Sequence, residues 1–547
     1  MRGSLTLLAL ATMHAYAEKS VTSQSIAVDG GHIAAAPADS RGIRIFKGIP
    51  YAAPPTGERR WREPAAVESW PGVRPSDRFG ASCSQVDMFA GAGLSGNGQS
   101  EDCLYLNIWT PARAAGERLP VFVWIHGGAY VVGSGNESRT DGAALAAKGL
   151  IVVTFNYRLG VFGFLAHPDL TDEVPQHASG NYGLLDQIAA LRWIQRNIAA
   201  LGGDPTRVAI GGNSAGATSV NILMASPLAK GLFSRAIAQG GSAMSVSAPN
   251  DGSPLPREIE ERKGLHFAHS LGARGIKDLR ALSADALLKA SGTDWNAWAW
   301  NASIDGYVLP AAPLELFQQG RQNDVPLLVG WAANEGAVIG RATFGGDDEP
   351  FAPQIATRFG KLAPDVLRLY PAGTIAEERA SKAALAGEGF ISYPSWTWAV
   401  AQSRTGKQPV FNYKFAYPPP VPPGYGRDSI IGEPGAFHGA EMTYVFGNFM
   451  HNPGWNLSAV DQRVSAGMQA YWIRFISSGD PNGEEGLPVW PAYREPAPER
   501  LYVTSQGFEV VPDADRERFE ALGRLAADVP GSLSYRGMDA QRWARRP

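Results

Sequence analysis

Cysteine is nearly absent from this chain: its 547 residues include two, Cys83 and Cys103. No C-x-x-C or H-E-x-x-H pair occurs, so the sequence offers no basis for a metal centre. An excess of one charge is also missing. Forty-nine Lys and Arg stand against 52 Asp and Glu, a formal net charge of −3, and basic residues form no long run. Electrostatics therefore give no ground for nucleic acid or an anionic membrane as partner. The short tail Arg542, Arg545 and Arg546 reads as a solvated terminus. No apolar run approaches the roughly 20 residues of a membrane span, so no integral membrane association is expected. Internal repeats and low-complexity linkers are lacking too. What remains is ordinary globular composition, 44% hydrophobic and 18% charged, enough apolar material for a sizeable core and too little charge for disorder.

The first residues read as an export signal. Arg2 supplies a positive start, Leu5 to Ala11 a short apolar run, and Ala15-Tyr16-Ala17 a small-residue cleavage pattern. The expected division is a signal peptide over 1–17 and one domain over 18–547, secreted or periplasmic. The two cysteines agree with that compartment. They bound one polar loop, Ser84 to Asp102, and read as a disulfide, the alternative being two free thiols. In the chain-entropy model such a loop is worth about 3 kcal/mol.

Along the chain, short apolar runs alternate with amphipathic stretches. Val121 to Ile125, Ile151 to Phe155, Val208 to Ile210, Leu327 to Val329 and Val410 to Phe415 predict strands, most continuously apolar as in a sheet covered on both faces. Ile188, Leu191, Ile194 and Ile198 recur at helical spacing and predict a helix over Leu184 to Leu201, ended by Gly202-Gly203-Asp204-Pro205. Strand, helix, strand in this order implies an α/β protein with a large, mostly parallel sheet flanked by helices. Asp251 to Leu288 and Ala356 to Ala386 read as helical cap insertions, and the proline-rich Ala416 to Pro423 as a surface excursion.

Gly212-Asn213-Ser214-Ala215-Gly216 fits G-x-S-x-G between a strand and the helical stretch Thr218 to Met224. A nucleophile elbow needs that context, because the tight turn lifts the serine hydroxyl above the sheet edge. Attack on a carbonyl creates an oxyanion that needs donors. His126-Gly127-Gly128-Ala129, at the end of another strand, offers the N–H groups of Gly127 and Gly128 beside that of Ala215. The serine also needs a base held by an acid, in the chain order Ser, acid, His. Of nine histidines only His438 and His451 lie well after residue 270, and His438 follows a predicted strand. Glu335 follows Leu327 to Val329 and is correctly placed for the acid, although periodicity alone does not choose it over other acids.

Longer motifs add a family. Phe46-Lys47-Gly48-Ile49-Pro50-Tyr51-Ala52, Glu101-Asp102-Cys103-Leu104-Tyr105-Leu106-Asn107, Asn156-Tyr157-Arg158-Leu159-Gly160, Gly180-Asn181-Tyr182-Gly183-Leu184-Leu185-Asp186-Gln187 and Gly479-Asp480-Pro481-Asn482 occur in order along most of the chain. In these the sequence resembles the type B carboxylesterases, the family that includes cholinesterases. The resemblance implies the α/β-hydrolase fold and a serine carboxylic-ester hydrolase without cofactor, acting on a small-molecule ester. It implies Ser214 as nucleophile, His438 as base and Glu335 as its acid, the oxyanion hole above, and a Cys83–Cys103 disulfide. The alternative is a non-catalytic adhesion protein of the same fold, but such relatives have typically lost a member of the triad.

Two departures bear on substrate. Many relatives carry Glu before the nucleophile where this chain has Asn213, and Asp before the triad acid where it has Asn334. Cholinesterases hold a quaternary ammonium on a tryptophan inside the loop corresponding to Cys83–Cys103, and no Trp lies between Ser84 and Asp102. The expectation is a neutral or anionic ester. Trp295, Trp298 and Trp300 precede a segment that lines the acyl pocket in relatives, so Asn213, Trp298 and Trp300 are candidate substrate contacts; packing of the tryptophans into core or cap is the equal alternative.

Overall fold

The computed structural model describes residues 25–86, 98–244, 253–292, 300–422, 434–451 and 454–529. The export segment, Trp295 and Trp298 lie outside these residues.

The pleat sends neighbouring strand residues to opposite faces. In Leu119–Ile125, Val121, Val123 and Ile125 enter one hydrophobic cluster, while Phe122 and Trp124 enter another on the far side. Both faces must be covered, which is why this strand and its neighbours read as unbroken apolar runs rather than alternating ones. Ten strands form the sheet: β1 Arg44–Pro50, β2 Tyr105–Thr110, β3 Leu119–Ile125, β4 Ile151–Phe155, β5 Gly203–Asn213, β6 Arg235–Gln239, β7 Leu327–Ala332, β8 Val410–Phe415, β9 Glu499–Thr504 and β10 Gly507–Pro512. Their spatial order is β10-β9-β8-β7-β6-β5-β3-β4-β2-β1. From β9 to β4 every pairing is parallel; β10, β2 and β1 add antiparallel edges.

Helix α1, Tyr182–Asn197, packs with α2, Ala215–Ala225, in the first cluster; Ile188, Leu191 and Ile194 are fully buried. A 3-10 turn, Ile198–Leu201, continues it and Gly202 stops it at φ +91°, a left-handed conformation that suits glycine. On the opposite face lie α5, Glu441–Phe446, and α6, Ala459–Ser478. α6 starts in a capping box between Ser458 and Asp461. The predicted insertions are helical, with Arg257–Ser270, Ile276–Arg280 and Ala284–Ser291 in the first, and Phe351–Phe359, Ala363–Leu369 and α4, Ile375–Gly387, in the second. Helix α3, Gly336–Phe344, follows β7, and α7, Arg516–Asp528, follows β10.

Cys83 and Cys103 are joined in a disulfide. Among the described residues no helix is long and apolar enough to cross a membrane.

Candidate active site

Parallel strands deliver their C-terminal ends to one edge of a sheet, and the loops leaving that edge can meet. Ser214 stands between β5 and α2 with φ +58° and ψ −126°. A non-glycine residue held there costs about 1–3 kcal/mol, which the surrounding packing must offset. The fixing contacts are visible. The Ser214 N–H donates to the Gln239 carbonyl at 3.1 Å, and the Ser214 carbonyl accepts from the Thr218 N–H at 2.9 Å. Gly216 lies so close to β3 that a Cβ would sit 2.1 Å from the Ile125 carbonyl oxygen. The small residues of G-x-S-x-G are thus required by the approach of α2 to β3.

The turn after β3 reaches the same place. A Cβ on Gly127 would lie 2.6 Å from the Asn213 carbonyl oxygen and 3.1 Å from Ser214 Cβ. Gly128 takes φ +104°, where a side chain would also strike Val132. His126 is buried, stacks on Tyr157 at 4.3 Å, and uses Nδ1 toward the Gly127 carbonyl at 2.9 Å. Since a carbonyl only accepts, Nδ1 carries the proton. Burial pushes His126 below its usual pKa and so favours the neutral ring. In a trans peptide C=O and N–H point oppositely, so this bond also sets the direction of the Gly128 N–H.

Glu335 is 3% exposed on the turn after β7. Its Oε1 accepts from the Ala332 N–H at 2.8 Å, and its Oε2 pairs with His438 Nδ1 at 2.5 Å. Burial lowers the His438 pKa, but the charge of Glu335 and this hydrogen bond outweigh it, so His438 is raised above its ordinary value. Asn334 aligns the His438 loop. It bridges to Phe437, its N–H donates to the Ala436 carbonyl at 2.9 Å, and its Oδ1 accepts from the Ala436 N–H at 3.0 Å. Asn213 reaches that loop from the other side. Its Nδ2 donates to the Gln239 carbonyl at 2.8 Å, and its Oδ1 faces Gly439.

The structure therefore brings Ser214, Ala215, Gly127, Gly128, Asn213, Glu335 and His438 to one edge. Residues 18–519 match the model of the carboxylesterase family. This chain belongs to the carboxylesterase family. It is a carboxylic ester hydrolase of the α/β-hydrolase fold. Fumonisin B1 esterase of Sphingopyxis macrogoltabida is 36% identical over 465 residues, 82% of each chain. Para-nitrobenzyl esterase of Bacillus subtilis is 34% identical over 501 residues, covering 88% of this chain and 95% of that one. A solved thermophilic PNB esterase superposes with TM-score 0.77 at 32% identity, over 92% of this chain and all of the other.

In the esterase, Trp300 is 4% exposed and packs edge-on against Phe267 at 5.2 Å, within the first hydrophobic cluster. Four residues escape a reading by motif. Gly240, at φ +58°, would place a Cβ 2.8 Å from Glu335 Oε1; its position after a five-residue strand is the only signal. Arg158 and Asp186, buried and paired through Arg158 Nε and Nη2, lie inside two long motifs without declaring a partnership. Glu441 stands three residues beyond His438 and is wholly buried. Its signal was a second acid in Phe437-His438-Gly439-Ala440-Glu441.

Proposed function

We propose that the enzyme cleaves esters by two-step acyl transfer, with Ser214 as nucleophile, His438 as general base and Glu335 as its orienting acid. The observation that carries the reading is the 2.5 Å contact of Glu335 with His438 Nδ1 at the edge where Ser214 sits on its strained turn. With Nδ1 committed to Glu335, His438 keeps Nε2 to accept the Ser214 proton as Oγ attacks the ester carbonyl. The oxyanion is received by the N–H groups of Gly127, Gly128 and Ala215. His438 then passes its proton to the departing alkoxide, which leaves as alcohol. Water, deprotonated by the same nitrogen, attacks the acyl-enzyme, and collapse returns the proton to Ser214 with release of the acid.

The substrate is a neutral or anionic small-molecule ester. Asn213 brings no charge beside the nucleophile, and no tryptophan lies between Ser84 and Asp102 to hold a cation. Relatives named for fumonisin B1 and for para-nitrobenzyl esters are consistent with this and suggest test substrates. We further propose that residues 1–17 direct export to the periplasm or the medium, which the Cys83–Cys103 disulfide supports.

The test compares wild type with Ser214→Ala on p-nitrophenyl esters of increasing acyl length. Wild-type turnover with a variant at background is expected; equal turnover by Ser214→Ala would overturn the assignment. Inert wild type that also resists a fluorophosphonate label would favour a binding protein. A higher kcat/KM for a cationic ester than for its uncharged isostere would refute the charge preference.

A further inference from the structure

A hydrogen-bond donor stabilises an oxyanion only if it already points there, so whatever fixes its backbone takes part in catalysis at one remove. The turn after β3 closes on itself at one end, where the Gly128 carbonyl accepts from the N–H groups of Val131 at 2.9 Å and Val132 at 3.0 Å. At its other end Gly133, with φ +117°, is packed so closely that a Cβ would lie 2.3 Å from His126 Nδ1 and 2.5 Å from the Gly127 carbonyl oxygen. Those two atoms form the contact that sets the direction of the Gly128 N–H. Gly133 therefore backs that contact, and Gln85 holds Gly133 in place. Gln85 is 5% exposed and lies two residues beyond Cys83. Its Oε1 accepts from the Gly133 N–H at 2.8 Å, and its Nε2 donates to the carbonyls of Gly133 at 3.0 Å and Cys83 at 2.9 Å. One amide thus meets both backbone groups of Gly133, as a neighbouring strand would. Gln85 is itself anchored. Its N–H donates to Gln99 Oε1 at 3.0 Å, and the Ser84 N–H donates to the Ser100 carbonyl at 3.1 Å. Ser82–Cys83 pairs with Gln99–Ser100, beside the disulfide to Cys103.

We infer that Gln85 is a positioning residue of the esterase, whose amide clamps Gly133 against the His126–Gly127 contact and so keeps the Gly127 and Gly128 N–H groups aimed at the oxyanion. The inference rests on the mechanism proposed above. Residue type matters, because a primary amide offers an acceptor and two donors side by side. A carboxylate at this position would face the Gly133 and Cys83 carbonyl oxygens with nothing to donate. An apolar side chain would leave the Gly133 N–H and C=O buried without partners. Without the clamp Gly133 is free to withdraw from His126, and the peptide between Gly127 and Gly128 can turn its N–H away. A bound ester needs that donor little, whereas the tetrahedral intermediate needs it fully. The deficit therefore falls on kcat rather than on KM.

The measurement is kcat and KM for p-nitrophenyl acetate in wild type, Gln85→Met and Gln99→Ala, each expressed per active site titrated to completion with a fluorophosphonate. Beside it stands the Ki of an aryl trifluoromethyl ketone, whose hemiketal with the serine carries an oxyanion. Removing an oxyanion donor outright costs about 10²–10³ in kcat, so a donor kept but loosened in Gln85→Met should cost about tenfold, with KM within about twofold. The ketone Ki should rise by the same factor as kcat falls. Gln99 is exposed, so Gln99→Ala folds even where Gln85→Met does not. By removing the acceptor of the Gln85 N–H it should move kcat and Ki in the same direction by less. Wild-type values of kcat per site and of Ki in whichever variant folds, even with a lowered Tm, would overturn the inference and leave Gln85 a purely structural residue. A change confined to KM would overturn it too. Wild type that neither cleaves the ester nor binds the ketone would instead indict the serine mechanism.

Discussion

A side chain's charge state is set by its surroundings, and Glu441 makes this measurable without any substrate. Its carboxyl is raised to about 7, first by burial and then by Glu335, whereas an unfolded chain returns it to the ordinary range near 4.3. The folded state therefore holds a proton that the unfolded state releases. Stability is untouched below about pH 4, declines as pH rises from there, and stops declining above about pH 7. The full penalty is about 4 kcal/mol. Glu441→Gln, which cannot ionise, escapes it. Urea unfolding should show the variant gaining on wild type between pH 5 and pH 8, and a difference independent of pH would contradict the raised carboxyl.

Elements show where the sequence could and could not be read. β4 and β8 appear with the predicted boundaries, because short runs rich in β-branched and aromatic residues between polar turns admit few alternatives. β5 runs from Gly203 to Asn213, far beyond the predicted Val208 to Ile210, since its early residues pair with β3 across an irregular register that no periodicity reports. β6 was not predicted, its five residues Arg-Ala-Ile-Ala-Gln carrying little β signal, yet Gln239 at its end supplies the carbonyl that holds both Ser214 and Asn213. The strand–turn–helix context of Ser214 and the placement of His438 after a strand were legible because tight turns restrict residue type. The acid became a choice only through family resemblance, and the partnership of Arg158 with Asp186 not at all, because contact across 28 positions leaves no local pattern. That partnership joins the loop after β4 to α1. The Asp186 side chain is fully buried and Arg158 3% exposed, so Asp186→Ala strands a cation in the interior. A loss of about 3–5 kcal/mol is expected in equilibrium unfolding. A loss below about 1 kcal/mol, as for an exposed pair, would refute the claim that this contact fixes the loop.

Over the whole molecule, the last segments of the chain are tied to the site by a buried charge network. Arg500 on β9 is 2% exposed, pairs with Asp513, and donates to Asp515 Oδ2 at 2.8 Å. Asp515 also receives Lys414 of β8 at 2.8 Å and Arg518 of α7 at 3.1 Å, and Arg518 continues to Glu388 at 2.6 Å. Lys414, Glu388 and Arg518 line a cavity of about 250 Å³ whose wall includes Trp331, Glu335, Gly387 and Phe519. Arg500 lies over the Trp331 ring at 5.1 Å, and Trp331 belongs to β7, the strand that ends in the Glu335 turn. A network that unites β7, β8, β9 and α7 without contacting the reacting atoms should matter for stability and little for substrate binding. Arg500→Met keeps the volume and removes the charge, leaving Asp513 without its cation where water cannot replace it, while Asp515 keeps Lys414 and Arg518. Unfolding in urea should show a loss of about 3–5 kcal/mol. KM for p-nitrophenyl acetate should stay unchanged at temperatures where the variant is folded. A stable Arg500→Met with a raised KM would mean that the network shapes the pocket rather than anchoring the end of the chain.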